Sequence, residues 1–272
     1  MHAGFVSVPD GGFTDAGLLP LLPETYGGAY LSSSKSWLRA SRDLVSPDGT
    51  QIVYWKAAPS NSEIHVFNVA SGADRVVYSG TTLFMPIAFE SDTIYLVHVI
   101  NPRQGAFEKL YRLDLTGGPP QLVSGSDRHM YQYGWVLISD GAAWGIDYVA
   151  QGENYMFSVL RLDLATSQVT TWVEGQNTMF WPQGVDTGHR LYAAGYYGPL
   201  WQIDSAGHHV ELPTAQQMYF GNAIGGPSSF AANSRGVWFA GQGGVWLYKD
   251  GQEPSKFAVG PDDTVWPAGP CT

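Results

Sequence analysis

The sequence predicts an all-β fold, a six-bladed β-propeller with Velcro closure. Three observations carry this expectation. A unit of strand, polar turn, strand, loop, strand, turn and short strand recurs along the 272 residues, and self-similarity at a fixed period marks a repeat architecture. Helical signals are nearly absent, with no amphipathic run of period 3.6 and no capping box before an apolar stripe. The two ends of the chain read as complementary pieces of one further unit.

The strands of each unit are lettered A to D from the centre outward. Five A–B turns are built of small or polar residues: Ser46-Pro47-Asp48-Gly49, Glu90-Ser91-Asp92, Ser139-Asp140-Gly141, Asp186-Thr187-Gly188 and Asn233-Ser234-Arg235-Gly236. Asp, Asn and Gly there supply self-capping side chains or positive φ. B strands open at Gln51, Thr93, Ala142, Arg190 and Gly236, a spacing of about 42 to 49 residues that suits four-stranded blades. Apolar residues at nearly every B position imply burial on both faces, as between stacked sheets. C strands follow from Glu63, Lys109, Ser158, Pro199 and Val245, and short D strands after small polar turns. Asp15, Asp114, Asp163 and Asp204 recur at the C–D turn, with Asn68 as a variant. One carboxylate per blade leaves them far apart, which favours Asx capping of the turn over a shared calcium site.

The ends complete the pattern. Thr264 to Thr272 resembles the A-strand opening at Phe180 and has no B strand after it, while residues 4–24 align with the B, C and D strands from Gly236 to Val259. The C-terminus then supplies strand A, and the N-terminus B, C and D, of one blade, which removes an open sheet edge. The expected organisation is one domain, 1–272, with blades at 264–272 plus 2–24, 37–80, 81–126, 127–175, 176–216 and 217–261, and a long loop at 25–36. The six A strands are placed at Trp37, Phe84, Tyr131, Phe180, Pro227 and Thr264.

Charged residues make up only 14% of the chain and the formal net charge is −10, against a typical charged fraction of roughly 25%. That balance argues against nucleic acid, which needs a basic footprint, and against anionic membrane surfaces. The longest apolar stretch, Ile94 to Ile100, is far short of a membrane span. The lone Cys271 allows no internal disulfide and no Cys/His cluster has zinc spacing. The opening MHAGFVSVPDGG has neither basic segment nor apolar h-region, so any leader is expected to have been removed. Few charges, many aromatics and little Cys suit a periplasmic or extracellular protein; a cytoplasmic one is not excluded.

Residues 44–80, with SPDGTQIVYW followed by IHVFNVASGADRVVYSG, resemble the WD40-like repeat of TolB-type propellers. Later blades, with WPQGVDTGHRLYAAGYYGPLWQID from Trp181 and GGPSSFAANSRGVWFAGQGGVWLY from Gly225, are similar to NHL, streptogramin-lyase or gluconolactonase-type six-bladed propellers. The TolB resemblance implies protein partners in the periplasm. The gluconolactonase resemblance implies a divalent metal held by Glu, Asn and Asp, but Ser228 to Asn233 lacks the Asp-Gly usual before that strand.

In a propeller, loops between D and A and between B and C gather over the central channel, where a rigid scaffold carries function. Each D–A connection here delivers an aromatic: Trp37, Phe84, Tyr131 with Tyr133, Phe180 with Trp181, Tyr219 with Phe220, and Trp266. Such rings can stack sugars or apolar groups or hold a cation; packing between blades is the alternative for each. Arg128 and His129 beside Tyr131 suit a carboxylate or proton transfer. No nucleophile elbow and no HExxH is present. The expectation is therefore a binding propeller without a cofactor, recognising a protein segment or glycan at an aromatic-lined channel mouth. The alternative is a metal-dependent lactonase or lyase with calcium or magnesium at Asp127, Asn177, Asn222 and Asp263. An interaction module of a larger protein is a third reading.

Overall fold

The computed structural model of the chain describes residues 2–6, 12–18, 29–31, 35–38, 40–58, 61–101, 106–128, 130, 133–195, 200–212, 230–233, 235–241 and 244–258. These form β strands and one short 3-10 turn. The strands are β1 His2–Val6, β2 Phe13–Leu18, β3 Ala29–Leu31, β4 Ser36–Leu38, β5 Gln51–Ala58, β6 Asn61–Asn68, β7 Asp74–Gly80, β8 Phe84–Glu90, β9 Thr93–Asn101, β10 Ala106–Asp114, β11 Gln121–Leu122, β12 Gly134–Ser139, β13 Ala142–Gln151, β14 Asn154–Asp163 and β15 Val169–Gln176. They continue with β16 Trp181–Val185, β17 Leu191–Ala194, β18 Leu200–Ile203, β19 His209–Glu211, β20 Phe230–Asn233, β21 Gly236–Gly241, β22 Gly244–Tyr248 and β23 Ser255–Ala258.

Among the described residues there are five antiparallel sheets of three or four strands: β5–β7, β8–β11, β12–β15, β16–β19 and β20–β23, each in sequence order. Two hairpins, β1–β2 and β3–β4, stand as two-stranded sheets. Consecutive pairing follows from the turns. In the first, Ser46 Oγ donates to Asp48 Oδ1 at 2.6 Å and accepts from the Gln51 amide at 2.9 Å, while Asp48 Oδ1 accepts from the Thr50 amide. Gly49 sits at φ 72°, the left-handed region that costs glycine little. The expected Asx capping at the C–D turns is present at each recurring position. Asp15 accepts from the Gly17 amide, Asn68 from Ala70 and Ser71, Asp114 from Thr116, Asp163 from Ala165 and Thr166, and Asp204 from Ala206 and His208.

The strand expected from Trp37 differs. Ser36–Leu38 pairs with Ala29–Leu31 inside the expected loop, and the sheet beginning at β5 has three strands. In the place of its strand A lie a 3-10 turn, Arg42–Leu44, and a lone bridge from Val45 to Ile52. Only Leu44 and Val45 of this stretch are buried apolar residues, and Arg42-Asp43 before them suits a turn better than a buried strand. The strand As of the next three sheets all carry a β-bulge, at Pro86/Ala88, Trp135/Leu137 and Pro182/Gly184. A bulge tolerates a proline, which lacks the N–H that an unbroken ladder needs. The A strands expected from Tyr131 and Pro227 are β12 and β20, which begin at Gly134 and Phe230; Tyr131 and Pro227 themselves, the proposed closing strand at 264–272 and the end of the 4–24 segment expected to supply B, C and D lie outside the described residues.

The chain divides into two compact units. One comprises Met1–Leu22, Tyr26–Arg42 and Met179–Thr272, and so takes in the N-terminal hairpins with β16–β23. Its core gathers Tyr192, Leu200, Leu212, Phe230, Val237, Phe239 and Tyr248. A buried polar knot stands beside it: Asp186 accepts from the backbone amides of Gly188 and Arg190, from the Arg190 guanidinium and from the Tyr192 hydroxyl. Arg190 also reaches Asp250 at 2.7 Å, which ties β16–β19 to β20–β23. The other unit holds Asp43–Thr178 with Pro23–Thr25. There Val53, Ile64, Val66, Val77, Phe84, Phe89, Ile94, Leu96 and Leu113 fill the space between β5–β7 and β8–β11. Ser62 Oγ stitches the same two sheets through the Phe84 amide and carbonyl. Gly134, at φ 62°, lets β12 approach β10: a Cβ there would stand 2.6 Å from the Phe107 carbonyl oxygen.

Candidate functional site

The longest hairpin, β13–β14, pairs without a break from Ala142↔Asp163 to Gln151↔Asn154. Side chains alternate across a strand, so the cross-strand pairs Tyr148↔Phe157 and Ala150↔Tyr155 place three rings on one face. Tyr148 lies 5.7 Å from Tyr155, 5.6 Å from Phe157 and 6.3 Å from Tyr133, which leads into β12. Tyr155 and Phe157 are 6.2 Å apart. Edge-to-face and tilted pairs at these separations are the favoured arrangements of aromatic rings. Burial is complete along the hairpin from Ala142 to Ile146 and falls away toward the tip; Tyr155 is 49% and Val149 59% exposed.

Asn177 fixes this tip. Its amide donates to the Tyr155 carbonyl at 2.7 Å, its Oδ1 accepts from the Tyr155 amide at 2.8 Å, and its Nδ2 donates to Asn154 Oδ1 at 2.8 Å. Its φ of 55° is one that Asn tolerates better than most residues. On the opposite face, Asp147, Ser158 and Glu174 stand in one cross-strand row. Ser158 donates to Glu174 at 3.3 Å, and Arg128 Nη2 lies 3.9 Å from Asp147 Oδ2.

The residues singled out from sequence separate into two groups. Phe84 and Phe180 are core. Phe84 is packed among Tyr78, Tyr111 and His98, and Phe180 is 1% exposed against Trp201 and His209. Trp37 is half-buried with its ring 5.5 Å from Phe5, and Trp181 is half-buried at the head of β16. Arg128 and Asp127 are exposed, between β11 and β12. Asn177, offered for a metal, has its side-chain amide engaged by the hairpin tip. His129, Tyr131, Tyr219, Trp266, Asn222 and Asp263 lie outside the described residues. Tyr148, Tyr155 and Phe157 were not among the expected site residues; the visible signal was the mirrored placement of Tyr148 and Phe157 about Gly152-Glu153.

Two histidines sit among acids elsewhere in the same unit. His65, 5% exposed, has Nδ1 at 3.2 Å from Asp74 and Nε2 at 3.2 Å from Glu63, and its ring stacks on Tyr54 at 4.8 Å. Burial acts to raise the Asp74 pKa, but hydrogen bonds from Tyr54 and His65 outweigh it and hold the carboxyl below its ordinary value. His98 faces Glu108 at 3.9 Å. Among the described residues no group of three or more His, Cys, Asp or Glu is arranged to hold a metal ion, and no helix is long and apolar enough to cross a membrane.

No known family profile and no curated protein matches the sequence. Solved structures do. A TolB-type protein of Agrobacterium tumefaciens is similar at 13% identity with a TM-score of 0.53, over 91% of this chain and 84% of that one. An acylaminoacyl peptidase of Pyrococcus horikoshii gives 11% identity and a TM-score of 0.48 over 83% and 39% of the two chains. An oligogalacturonate lyase of Vibrio parahaemolyticus gives 12% and 0.46 over 89% and 68%. At such identities the likeness concerns the fold. The chain resembles the β-propeller fold distantly, at the level of its repeats, and it carries a surface aromatic cluster on one sheet.

Proposed function

We propose that the chain is a binding propeller that recognises a protein segment or glycan through the aromatic-bearing ends of its blades, around a channel mouth. The observation that carries this is the four-ring cluster of Tyr133, Tyr148, Tyr155 and Phe157 with Tyr155 half exposed. A large amphipathic ring held at low entropic cost is a common anchor for ligands. The backbone that carries Tyr155 is held by Asn177, which lessens the ordering left to binding. In this reading the sheets are blades of a six-bladed ring closed by the chain ends. The grouping of Met1–Leu22 with Met179–Thr272 in one compact unit supports that closure. A periplasmic or extracellular location belongs to the same proposal, and the low charge supports it.

The lactonase or lyase reading has no observation in its favour among the described residues: of its four ligands Asp127 and Asn177 are described, and Asn177 is engaged by the hairpin. The test is a screen of the full chain against a glycan array and a peptide array, followed by titration of each hit with Tyr148→Ala and Tyr155→Ala. The reading expects both variants, still folded by circular dichroism, to lose at least about fivefold in affinity. Unchanged affinity for every hit overturns it.

A further inference from the structure

We infer that the β13–β14 tip takes an uncharged, proline-rich protein segment in the extended polyproline II form. The inference rests on the proposed binding role of that tip and names its occupant. Strand register decides which side chains share a face with the rings. Tyr148, Phe157 and Gly175 form one cross-strand row, and Ala150 with Tyr155 forms the next toward the tip. Behind them stands the row of Ile146, Val159 and Val173, all buried. The strands of this face therefore carry no charged side chain in their tip half. Asp147 and Glu174 belong to the opposite face, in the row of Ser158, and Arg161 and Asp163 follow only toward the other end of the hairpin.

The rings are inclined to one another: Tyr148 by 73° to Tyr155 and by 38° to Phe157, and Tyr155 by 42° to Phe157. They make shallow clefts and not the flat platform on which a sugar ring stacks. Ala150 and Gly175 border them within their own rows, so no bulky neighbour on the strands stands over the clefts from either side. Aromatic-lined clefts of this kind are where proline-rich segments dock. A polyproline II backbone has no internal hydrogen bonds, and the Tyr155 hydroxyl is a donor for its carbonyls. A sugar needs several placed polar groups, whereas Asn154 and Asn177 are engaged with each other and with the Tyr155 backbone. Charge selects among protein segments. The net charge of −10 repels an acidic one, and a basic one meets no carboxylate in the ring rows. A segment already ordered in solution also loses least on binding so small a surface.

The probes are capped hexaproline, a capped Ala-Ser hexapeptide, hexaprolines with two residues changed to Arg or to Glu, and a neutral oligosaccharide panel. Each is titrated calorimetrically into the full chain at low and at roughly physiological salt. The expected result is hexaproline binding that salt leaves unchanged, with the Ala-Ser peptide at least about tenfold weaker. Tyr155→Ala should cost hexaproline about fivefold, and Tyr155→Phe, which keeps the ring, about threefold or less. Glu174→Gln, on the opposite face, should cost nothing. Equal or tighter binding of the Ala-Ser peptide or of the charged peptides overturns the proline preference. Neutral sugars that bind more tightly than hexaproline and depend on Tyr155 overturn the occupant and leave the binding role of the tip standing. If hexaproline binds equally well to Tyr155→Ala, it is held elsewhere and the inference fails. If no probe binding depends on Tyr155, both fail together.

Discussion

Replacing Asp186 by alanine tests the energetic account of the β16–β19 and β20–β23 sheets. Asp186 is 8% exposed and receives two backbone amides at 2.9 and 3.0 Å, the Arg190 guanidinium at 2.7 Å and the Tyr192 hydroxyl at 3.1 Å. Removal leaves two amides of a tight turn without their acceptor and frees a guanidinium that keeps only Asp250. A hydrogen bond to a charged group contributes about 1.5–3 kcal/mol and breaking a buried ion pair about 3–5 kcal/mol. These overlap here, and Arg190 is about one-third exposed at 32%, so solvent screening reduces its share. The expected cost is about 3 kcal/mol, or about 6–12 °C in melting temperature for a chain of this size. Asp186→Asn keeps an oxygen for the two amides and loses the charge, so its cost should be about half as large. Urea unfolding followed by tryptophan fluorescence gives both values. A loss below about 1 kcal/mol for the alanine variant would refute the claim that this knot holds the two sheets.

Other outcomes follow from the same geometry. A Cβ on Gly184 would run into the Phe230 ring, so Gly184→Ala should destabilise the fold by about 1–3 kcal/mol in the same urea assay. Asn177→Ala removes the bonds to the Tyr155 amide and to Asn154 and puts alanine at φ 55°; a cost of about 1–2 kcal/mol and faster hydrogen exchange at the Tyr155 amide are expected. Burial works to raise the Asp186 pKa, but the amides and guanidinium around it hold the carboxyl below its ordinary value, as Tyr54 and His65 do for Asp74. A depressed carboxyl contributes stability above its unfolded pKa of about 3.9 and loses it as pH falls through the lower folded value. Melting temperature should therefore drop steeply below about pH 4, and Asp186→Asn should flatten that drop.

The blade pattern was legible because its causes are local. Turn residues such as Asp48-Gly49 and the Asx side chains at Asn68, Asp114, Asp163 and Asp204 act within a few residues of themselves, and the structure shows them capping the expected turns. Trp37 misled because its aromatic bulk resembled an A-strand opening, whereas the pairing of Ser36–Leu38 with Ala29–Leu31 depends on a register that composition does not reveal. Phe84 and Phe180 stand where an aromatic would face a ligand, yet neighbouring sheets and side chains cover them. The hairpin rings escaped notice for the converse reason. Tyr148 and Phe157 meet only once the Ala142↔Asp163 register is continued to the tip, and a search of the D–A connections passes over them.

Fluorine NMR of the full chain labelled with 3-fluorotyrosine tests the binding role of the tip most directly. The Tyr155 resonance, assigned by its loss in Tyr155→Phe, is followed during titration with a ligand from the arrays. The account predicts that it shifts in saturable proportion to occupancy and before resonances such as Tyr192, which is fully buried in the other unit. A Tyr155 signal that stays fixed while the ligand saturates the protein would contradict the account.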